Sequence, residues 1–529
     1  MKILVAEALA SSGVELLRRH HEVDERIGLS AEEYRAILPE YDALLVRSQV
    51  KVDAAMIAAG TRLMVIGRAG VGVDNVDLEA ATHAGITVVN APTGNTIAAA
   101  EHTIALMFAL ARNIAPADAS VRRGEWRRSA LTGTELRGKT LGIIGLGKIG
   151  SAVADRVRAL EMTVLGSDPF VTVEVAANHG VELVSIDELL ERSDVLTLHV
   201  PKTKGTAGMI GAAQLARMKP TALLLNVARG GVVDEAALAA ALAAGTIAGA
   251  AVDVFTSEPP NADNPLLTAP NTVLTPHLGA STAEAQVAVA EEASRQVLDI
   301  LDGRPARYAV NAPLLTPETA RAIAPYLPLA EILGRLFAQY SRGGVRTLTL
   351  EVAGELADHD VSPLQAAVLR GFLRDATNER VNLVNAALLA RGRGITVVER
   401  RTPDAGAFAT LVTISGTGAD GAARTVAGTL ANGEPRFVRL DDYWLDVAPA
   451  PWMLISAHVD RPGMIGKVGS LLGAADVNIS AMHLGRSAPR SDAVMFLALD
   501  DRVPVATAAA LHSIDGVIDQ WVIDLEPAG

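Results

Sequence analysis

At 529 residues the chain exceeds what a single compact core can hold, so three or four domains are expected. A net charge of −13 argues against generic binding to nucleic acid or anionic membranes, so an anionic substrate would need a local arginine cluster. The absence of cysteine excludes disulfides, thiol catalysis and cysteine-ligated metals, and no metal site is expected.

The opening apolar run, Met1 to Ala10, is too short for a secretory signal and reads as a first β-strand. The longest uncharged run, Ala236 to Val252, is broken by Gly245 and Gly249 and reads as a buried helix followed by a strand. Both features point to the cytoplasm. Up to residue 95, strands at Ile3 to Ala6, Ala43 to Val46, Met64 to Gly67 and Thr87 to Val89 alternate with helices at Val14 to Arg19, Ala54 to Ala59 and Leu78 to Ala84. That alternation is a parallel, doubly wound pattern. Ligands in such sheets sit beyond the carboxyl ends of the strands, and two of these strands run into Arg47 and Arg68. Cations placed there suit an anionic ligand.

A polar turn, Asn90 to Asn95, precedes a long apolar helix from Thr96 to Asn113, where the chain is expected to cross into a second domain. Lys139 to Gly150 then reads Lys-Thr-Leu-Gly-Ile-Ile-Gly-Leu-Gly-Lys-Ile-Gly. The strand Thr140 to Ile144 feeds Gly145-x-Gly147-x-x-Gly150, and a helix follows from Ser151 to Leu160. Gly145 permits the tight turn, Gly147 lets backbone approach a pyrophosphate, and Gly150 lets helix pack on strand. After a further strand, Met162 to Leu165, Asp168 stands where a carboxylate accepts both ribose hydroxyls and repels a 2′-phosphate, which selects NAD over NADP.

Strands at Val195 to His199, Ala222 to Val227, Gly249 to Phe255 and Thr272 to Thr275 continue this sheet, and the last three lead to Arg229, to Asp253 and Glu258, and to His277. Neighbouring strand ends share one crevice. Histidine suits removal of a hydroxyl proton during hydride transfer, Glu258 would orient and tune His277, and Arg229 offers a bidentate fork for a substrate carboxylate. A helix from Ser281 to Leu301 is expected to return to the first domain. A proline-rich linker follows (Ala312-Pro313, Thr316-Pro317, Ala324 to Pro328), then a region of mixed helices and strands without a catalytic constellation. The unit after Pro449-Ala450-Pro451 reads strand, helix, strand, strand, helix, strand, a ferredoxin-like βαββαβ order.

These segments together resemble the D-isomer-specific 2-hydroxyacid dehydrogenases in their long, bacterial-type form. The resemblance is carried by Arg68 to Asn75, Asn90 to Asn95, the glycine stretch, Asn226 to Gly231, Asp253 to Phe255 with Glu258-Pro259, and Thr275 to Thr282. It implies catalytic roles for Arg229, Glu258 and His277, and an NAD site with Lys148 and Ile149 lining it and Asp168 on the ribose. Val227, Ala228, Asp253, Leu278, Gly279 and Ala280 would flank the nicotinamide, with Arg229 and His277 beside them. In the members that act on 3-phosphoglycerate, residues like Arg47 and Arg68 hold the phosphate, with Arg128 a further candidate, and oxidation to 3-phosphohydroxypyruvate opens serine synthesis.

The closing unit is similar to the ACT domain, which implies a serine site near His458, Asp460, Arg461 and Asn478. The middle region resembles an extra domain that helps tetramers assemble. The expected fold is therefore α/β: a Rossmann-type NAD domain (96–281) inserted in a substrate domain (1–95 and 282–312), both with doubly wound parallel sheets. A mixed α+β intervening domain (317–450) and an ACT domain (451–529) follow. The alternatives are a glyoxylate or hydroxypyruvate reductase, which usually lacks the two added domains, and an NAD-sensing binding scaffold.

Overall fold

A computed structural model of the chain describes residues 1–304, 306–312, 316–377, 379–486 and 488–526; Pro313 of the expected linker lies outside the described residues. Four sheets carry the architecture. The first is fully parallel, in the order β2-β1-β3-β4-β5, with β1 Lys2–Val5, β2 Glu22–Glu25, β3 Ala43–Val46, β4 Val65–Arg68 and β5 Thr87–Asn90. Strand β3 is buried at every position, as a strand covered on both faces by helices must be. The sequence reading missed β2, whose Glu-Val-Asp-Glu carries no apolar alternation; an edge strand tolerates that charge. It also missed the helix Ala31–Ile37, which is started by a capping box between Ser30 and Glu33.

Helix Thr96–Ala111 leaves the first sheet close to its expected bounds, and a second helix the sequence reading missed, Ile114–Arg122, follows at a 62° bend where Asn113 adopts a left-handed φ of 52°. The second sheet is also fully parallel, in the order β12-β11-β10-β9-β6-β7-β8. Its strands are β6 Thr140–Ile144, β7 Thr163–Ser167, β8 Glu182–Leu183, β9 Val195–Leu198, β10 Leu223–Asn226, β11 Gly249–Val252 and β12 Thr272–Leu274. The order reverses direction around β6 and β9, which opens a crevice beyond their carboxyl ends. The helix Ala283–Leu301 then packs Val297, Leu298 and Leu301 against Ile3, Val5 and Leu45 of the first sheet. Gln296 on this helix donates to the Asn90 carbonyl at 2.6 Å. The chain therefore returns to where it began.

Of the prolines expected as linker, Pro317, Pro325 and Pro328 instead start helices, since proline lacks only an N–H that the first turn leaves unused: Thr316 caps Pro317–Ile323, and Leu327–Tyr340 follows. The third sheet is mixed, in the order β14-β13-β15-β16-β17-β18 (Thr347–Gly354 is β13, Thr396–Thr402 β14, Thr410–Thr417 β15, Ala423–Ala431 β16, Glu434–Leu440 β17, Tyr443–Val447 β18). Helices Leu327–Tyr340 and Ser362–Leu373 cross over it so closely that a Cβ on Gly334 would lie 2.1 Å from the Val368 carbonyl oxygen. The last sheet is antiparallel, β20-β21-β19-β22, from β19 Trp452–Val459, β20 Ile479–Arg486, β21 Asp492–Leu499 and β22 Val517–Asp524. With helices Met464–Ala474 and Val505–His512 it forms the expected ferredoxin-like unit. Its other face buries Met453, Ile455, Phe496 and Trp521 against the helix Leu327–Tyr340, so the third and fourth sheets share one apolar core.

Candidate active site

The glycine turn joins β6 to the helix Lys148–Val157, which starts three residues earlier than expected. Gly145 has φ of 93°, and a Cβ on Gly150 would stand 2.0 Å from the Gly145 carbonyl oxygen, so helix and turn can approach only through glycine. Around Gly147 a Cβ would meet nothing within 4 Å, and no side chain caps the helix, whose first N–H groups are left for a ligand. That open cradle fits a dinucleotide pyrophosphate. Asp168, just past β7, accepts from the Leu146 N–H of the turn at 2.8 Å and from the Phe170 N–H at 2.8 Å. It therefore holds the turn from the position where a ribose would lie. Lys148 extends its ammonium over the Tyr308 ring, 5.1 Å from the centroid, tying the nucleotide helix to the returning segment. The glycines therefore make a sharp contrast. Gly147→Ala is expected to keep its melting temperature while losing at least tenfold in NAD affinity by calorimetry, whereas Gly150→Ala should lose stability, by about 1–3 kcal/mol of overpacking.

At the adjoining strand ends, three loops meet. His277 follows β12 and Glu258 follows β11; His277 Nδ1 lies 2.7 Å from Glu258 Oε2, with both side chains about half exposed. Burial alone would raise the Glu258 carboxyl, but the His277 ring and the Phe255 N–H outweigh it and hold it below the usual glutamate range. His277 itself adopts a left-handed φ of 57°, a conformation that histidine tolerates better than most residues. Its N–H donates to the Asp253 carbonyl at 2.8 Å. Arg229 follows β10, and the next residue, Gly230, packs so tightly that a Cβ there would fall 1.8 Å from the Phe255 carbonyl oxygen. The arginine loop thus rests on the residue that holds Glu258.

Asp253, expected beside the nicotinamide, is 0% exposed. Its Oδ1 accepts from Thr275 Oγ1 at 2.5 Å and from the Leu278 N–H at 2.8 Å, and its Oδ2 accepts from the Gly279 N–H at 2.9 Å. His102 Nε2, from the helix Thr96–Ala111, lies 3.2 Å from the same Oδ1. The carboxylate therefore fixes the loop that carries His277, Leu278, Gly279 and Ala280. His102 was missed by the sequence reading, because its only signal was a histidine on a mostly apolar helix. Val227 and Ala228 are buried just past the end of β10, and Ile149 is partly buried at the start of the nucleotide helix.

The substrate side comes from the first sheet. Arg68 ends β4, with a guanidinium that burial and repulsion from Arg229 and Arg47 push down to about 10, against partial compensation by Asp74 and Glu7. Its Nε is buried and has no hydrogen-bond partner among the described residues. Arg229 reaches across from the second sheet to within 3.4 Å of Asp74. Three arginines thus converge with incomplete pairing, an arrangement suited to a doubly anionic ligand. Arg128 does not join them: it lies on an exposed 3₁₀ turn, Arg128–Leu131, and no hydrogen bond or ion pair among the described residues links it to the other three.

In the last sheet, His458 is 1% exposed on a central strand, which closes it to a ligand within this single chain and corrects the expectation for that residue. Asp460 accepts from the Arg490 N–H and from Arg486, which hold its carboxyl below the usual range. Arg461 pairs with Asp515 at 3.1 Å, and Asn478 donates to Asp500 at 2.6 Å. These three stand on surface loops, each with an intrachain partner.

Comparison with known proteins gives three family matches: the NAD binding domain of D-isomer specific 2-hydroxyacid dehydrogenases over residues 104–279, the D-3-phosphoglycerate dehydrogenase intervening domain over 322–441, and the ACT domain over 452–516. The chain is 46% identical to a D-3-phosphoglycerate dehydrogenase of Synechocystis sp., over 99% of this chain and 95% of that one. It is 43% identical to one from Archaeoglobus fulgidus, over 99% and 100%. Among solved structures, the TT0316 protein from Thermus thermophilus superposes with a TM-score of 0.55 at 36% identity, over 59% of this chain and 100% of that one. A glyoxylate reductase from Paecilomyes thermophila gives 0.54 at 31%, over 59% and 98%.

Proposed function

The chain belongs to the D-isomer-specific 2-hydroxyacid dehydrogenases and, through its full-length relatives, to the D-3-phosphoglycerate dehydrogenases, and from that premise we propose how its residues carry the reaction. The reaction is the NAD-dependent oxidation of 3-phosphoglycerate to 3-phosphohydroxypyruvate, the first step of L-serine synthesis. Arg47 and Arg68 hold the phosphate at one end of the substrate, and Arg229 holds the carboxylate at the other. Asp74 now occupies Arg229 and would yield to that carboxylate. Glu258 engages Nδ1 of His277, which fixes the tautomer and leaves Nε2 free to take the C2 hydroxyl proton. As the proton leaves, the ionised Glu258 stabilises the imidazolium that forms. Bound NAD supplies the acceptor for the C2 hydride.

The observation that supports this assignment is the placing of Arg47 and Arg68 at the ends of neighbouring strands, with Arg229 reaching the Gly70 to Asp74 segment beside them, since a plain 2-hydroxy acid needs only the last. The glyoxylate or hydroxypyruvate reductase reading gives those two arginines no ligand, and the binding-scaffold reading leaves the His277–Glu258 pair without work. A homotetramer and feedback by L-serine at Asp460, Arg461 and Asn478 are proposed on the matches to the intervening and ACT domains. Placement in the cytoplasm is proposed as well; among the described residues no single helix is long and apolar enough to cross a membrane.

One assay tests the assignment: NADH formation by purified protein with 3-phosphoglycerate, with D-glycerate and with D-2-hydroxyglutarate, each with and without millimolar serine. The phosphorylated substrate should have the highest kcat/KM, and serine should lower the rate. An equal kcat/KM on all three would remove the phosphate role, and a rate indifferent to serine would remove the effector.

A further inference from the structure

The loop that carries Arg47 is held by two side chains that have no part in the chemistry above. Glu7, just past β1, is 6% exposed, although among the described residues its carboxylate has no cation as a hydrogen-bond partner. Its Oε1 accepts from the backbone N–H of Arg47 at 2.8 Å, Gln49 at 3.2 Å and Val50 at 2.9 Å, and its Oε2 accepts from Gln49 at 3.2 Å. Asn75 grips the same loop from its carbonyls: Nδ2 donates to the Arg47 oxygen at 3.0 Å and to the Val50 oxygen at 2.7 Å. Both amide hydrogens are used. A further backbone bond, from the Val52 N–H to the Asn75 carbonyl at 2.8 Å, fixes Asn75 itself against the chain just beyond the loop.

Four residues, Arg47 to Val50, thus have the hydrogen-bonding groups at both ends satisfied by one carboxylate and one amide. Irregular backbone at a sheet end would otherwise drift, because loops have no ladder to set their geometry. The carboxylate does a second thing. Glu7 contributes negative potential beside Arg68, so the cations can stay close together before any anion arrives.

Asn75 also belongs to the segment that organises the other two arginines. A Cβ on Gly70 would collide with the Arg68 guanidinium, 1.6 Å from Nη1, and a Cβ on Gly72 would stand 2.5 Å from Arg229 Nη2. Asp74 pairs with Arg229. One stretch of backbone, Gly70 to Asn75, therefore sets the spacing between the phosphate end and the carboxylate end of the site.

We propose that Glu7 and Asn75 are positioning residues for phosphate specificity: together they fix the Arg47 loop so that its guanidinium meets a phosphate monoester at a set distance from the carboxylate held by Arg229. The inference rests on the assignment of Arg47 to the substrate phosphate, and its test separates the two. KM for 3-phosphoglycerate and the competitive inhibition constant of D-glycerate, which keeps the carboxylate and lacks the phosphate, are measured for Arg47→Ala, Asn75→Ala, Glu7→Gln and the double variant Arg47→Ala/Asn75→Ala. Asn75→Ala should raise KM about tenfold, the size of one misaligned charge-assisted hydrogen bond, and leave the D-glycerate constant within about twofold. Adding Asn75→Ala to Arg47→Ala should raise KM no further, since both act on one contact.

Equal losses on both ligands, or additive losses in the double variant, would make Asn75 a general structural support and overturn the proposal. If Arg47→Ala raises KM but neither Asn75→Ala nor Glu7→Gln does, positioning fails while the phosphate assignment stands. If Arg47→Ala itself leaves KM unchanged, the phosphate assignment falls first and the proposal with it. Asn75→Ala keeps the test usable if Glu7→Gln, which removes a buried charge, does not fold.

Discussion

His277→Asn is expected to lower kcat by about three orders of magnitude, the middle of the range a positioned general base contributes, with NAD affinity unchanged. Asparagine is the informative replacement because position 277 has φ of 57°, a left-handed conformation that asparagine also tolerates. The loop should therefore keep its course while the ring is lost, which alanine would not guarantee. The amide of asparagine has no basic nitrogen, so the hydroxyl proton has nowhere to go except water. Glu258→Gln should cost less, because it keeps a group within reach of Nδ1 while removing the charge that stabilises the imidazolium. Stopped-flow and steady-state measurement of NADH formation decides the matter, and a loss below tenfold for His277→Asn would move the base elsewhere. The pH dependence has a definite sign. Glu258 is held below the usual glutamate range, so its share of stability is complete above that range and disappears as pH falls through the lowered value.

The second large effect is expected at Asp253. Asp253→Asn keeps the shape but replaces one acceptor oxygen by an amide donor, which must then face Gly279 N–H on one side or Leu278 N–H and Thr275 Oγ1 on the other. A donor opposed to a donor at a fully buried site costs about 3 kcal/mol. Burial raises the native carboxyl, yet His102, Thr275 and the Leu278 N–H together leave it below its ordinary value. The stability it provides is thus complete above the ordinary aspartate range and is lost as pH falls through the lowered value. Amide hydrogen exchange at Leu278 and Gly279 should speed up by about a hundredfold, and kcat should fall because His277 rides on the same loop. Exchange rates equal to those of the parent protein would show that the carboxylate does not hold the loop.

Much of the site is legible in the chain because its signals are local. The glycine turn declares itself through a strand before it and a helix after it, and Asp168 through its distance from the turn. Arg229, Glu258 and His277 could be placed together because strands of a parallel sheet all end on one side, which converts sequence position into spatial position without any knowledge of packing. The same rule supplied Arg47 and Arg68. It does not reach Arg128, which follows no strand, or His458, which lies within an inner one; both were offered by the resemblance alone, and position on the chain says nothing about their access. His102 was missed because it acts across the fold from a helix that looks purely structural.

By itself, then, the sequence determined the two parallel sheets, the nucleotide turn, the acid–base pair and the ferredoxin-like tail, since each follows from hydrophobic period, turn chemistry or strand polarity over a few residues. Tertiary structure alone decided the rest: the pairing of Asp74 with Arg229 across two domains, the hold of Glu7 and Asn75 on the Arg47 loop, and the burial of Asp253 between a distant helix and the loop after β12. It also decided that the third and fourth sheets share one core, with the Arg335 guanidinium donating to the Leu525 carbonyl at 2.9 Å. The physical reason is the same throughout. Local pattern fixes which groups a segment can present, but a buried charge or an open hydrogen-bond donor finds its partner only when segments distant in the chain are brought to within a few ångströms of one another.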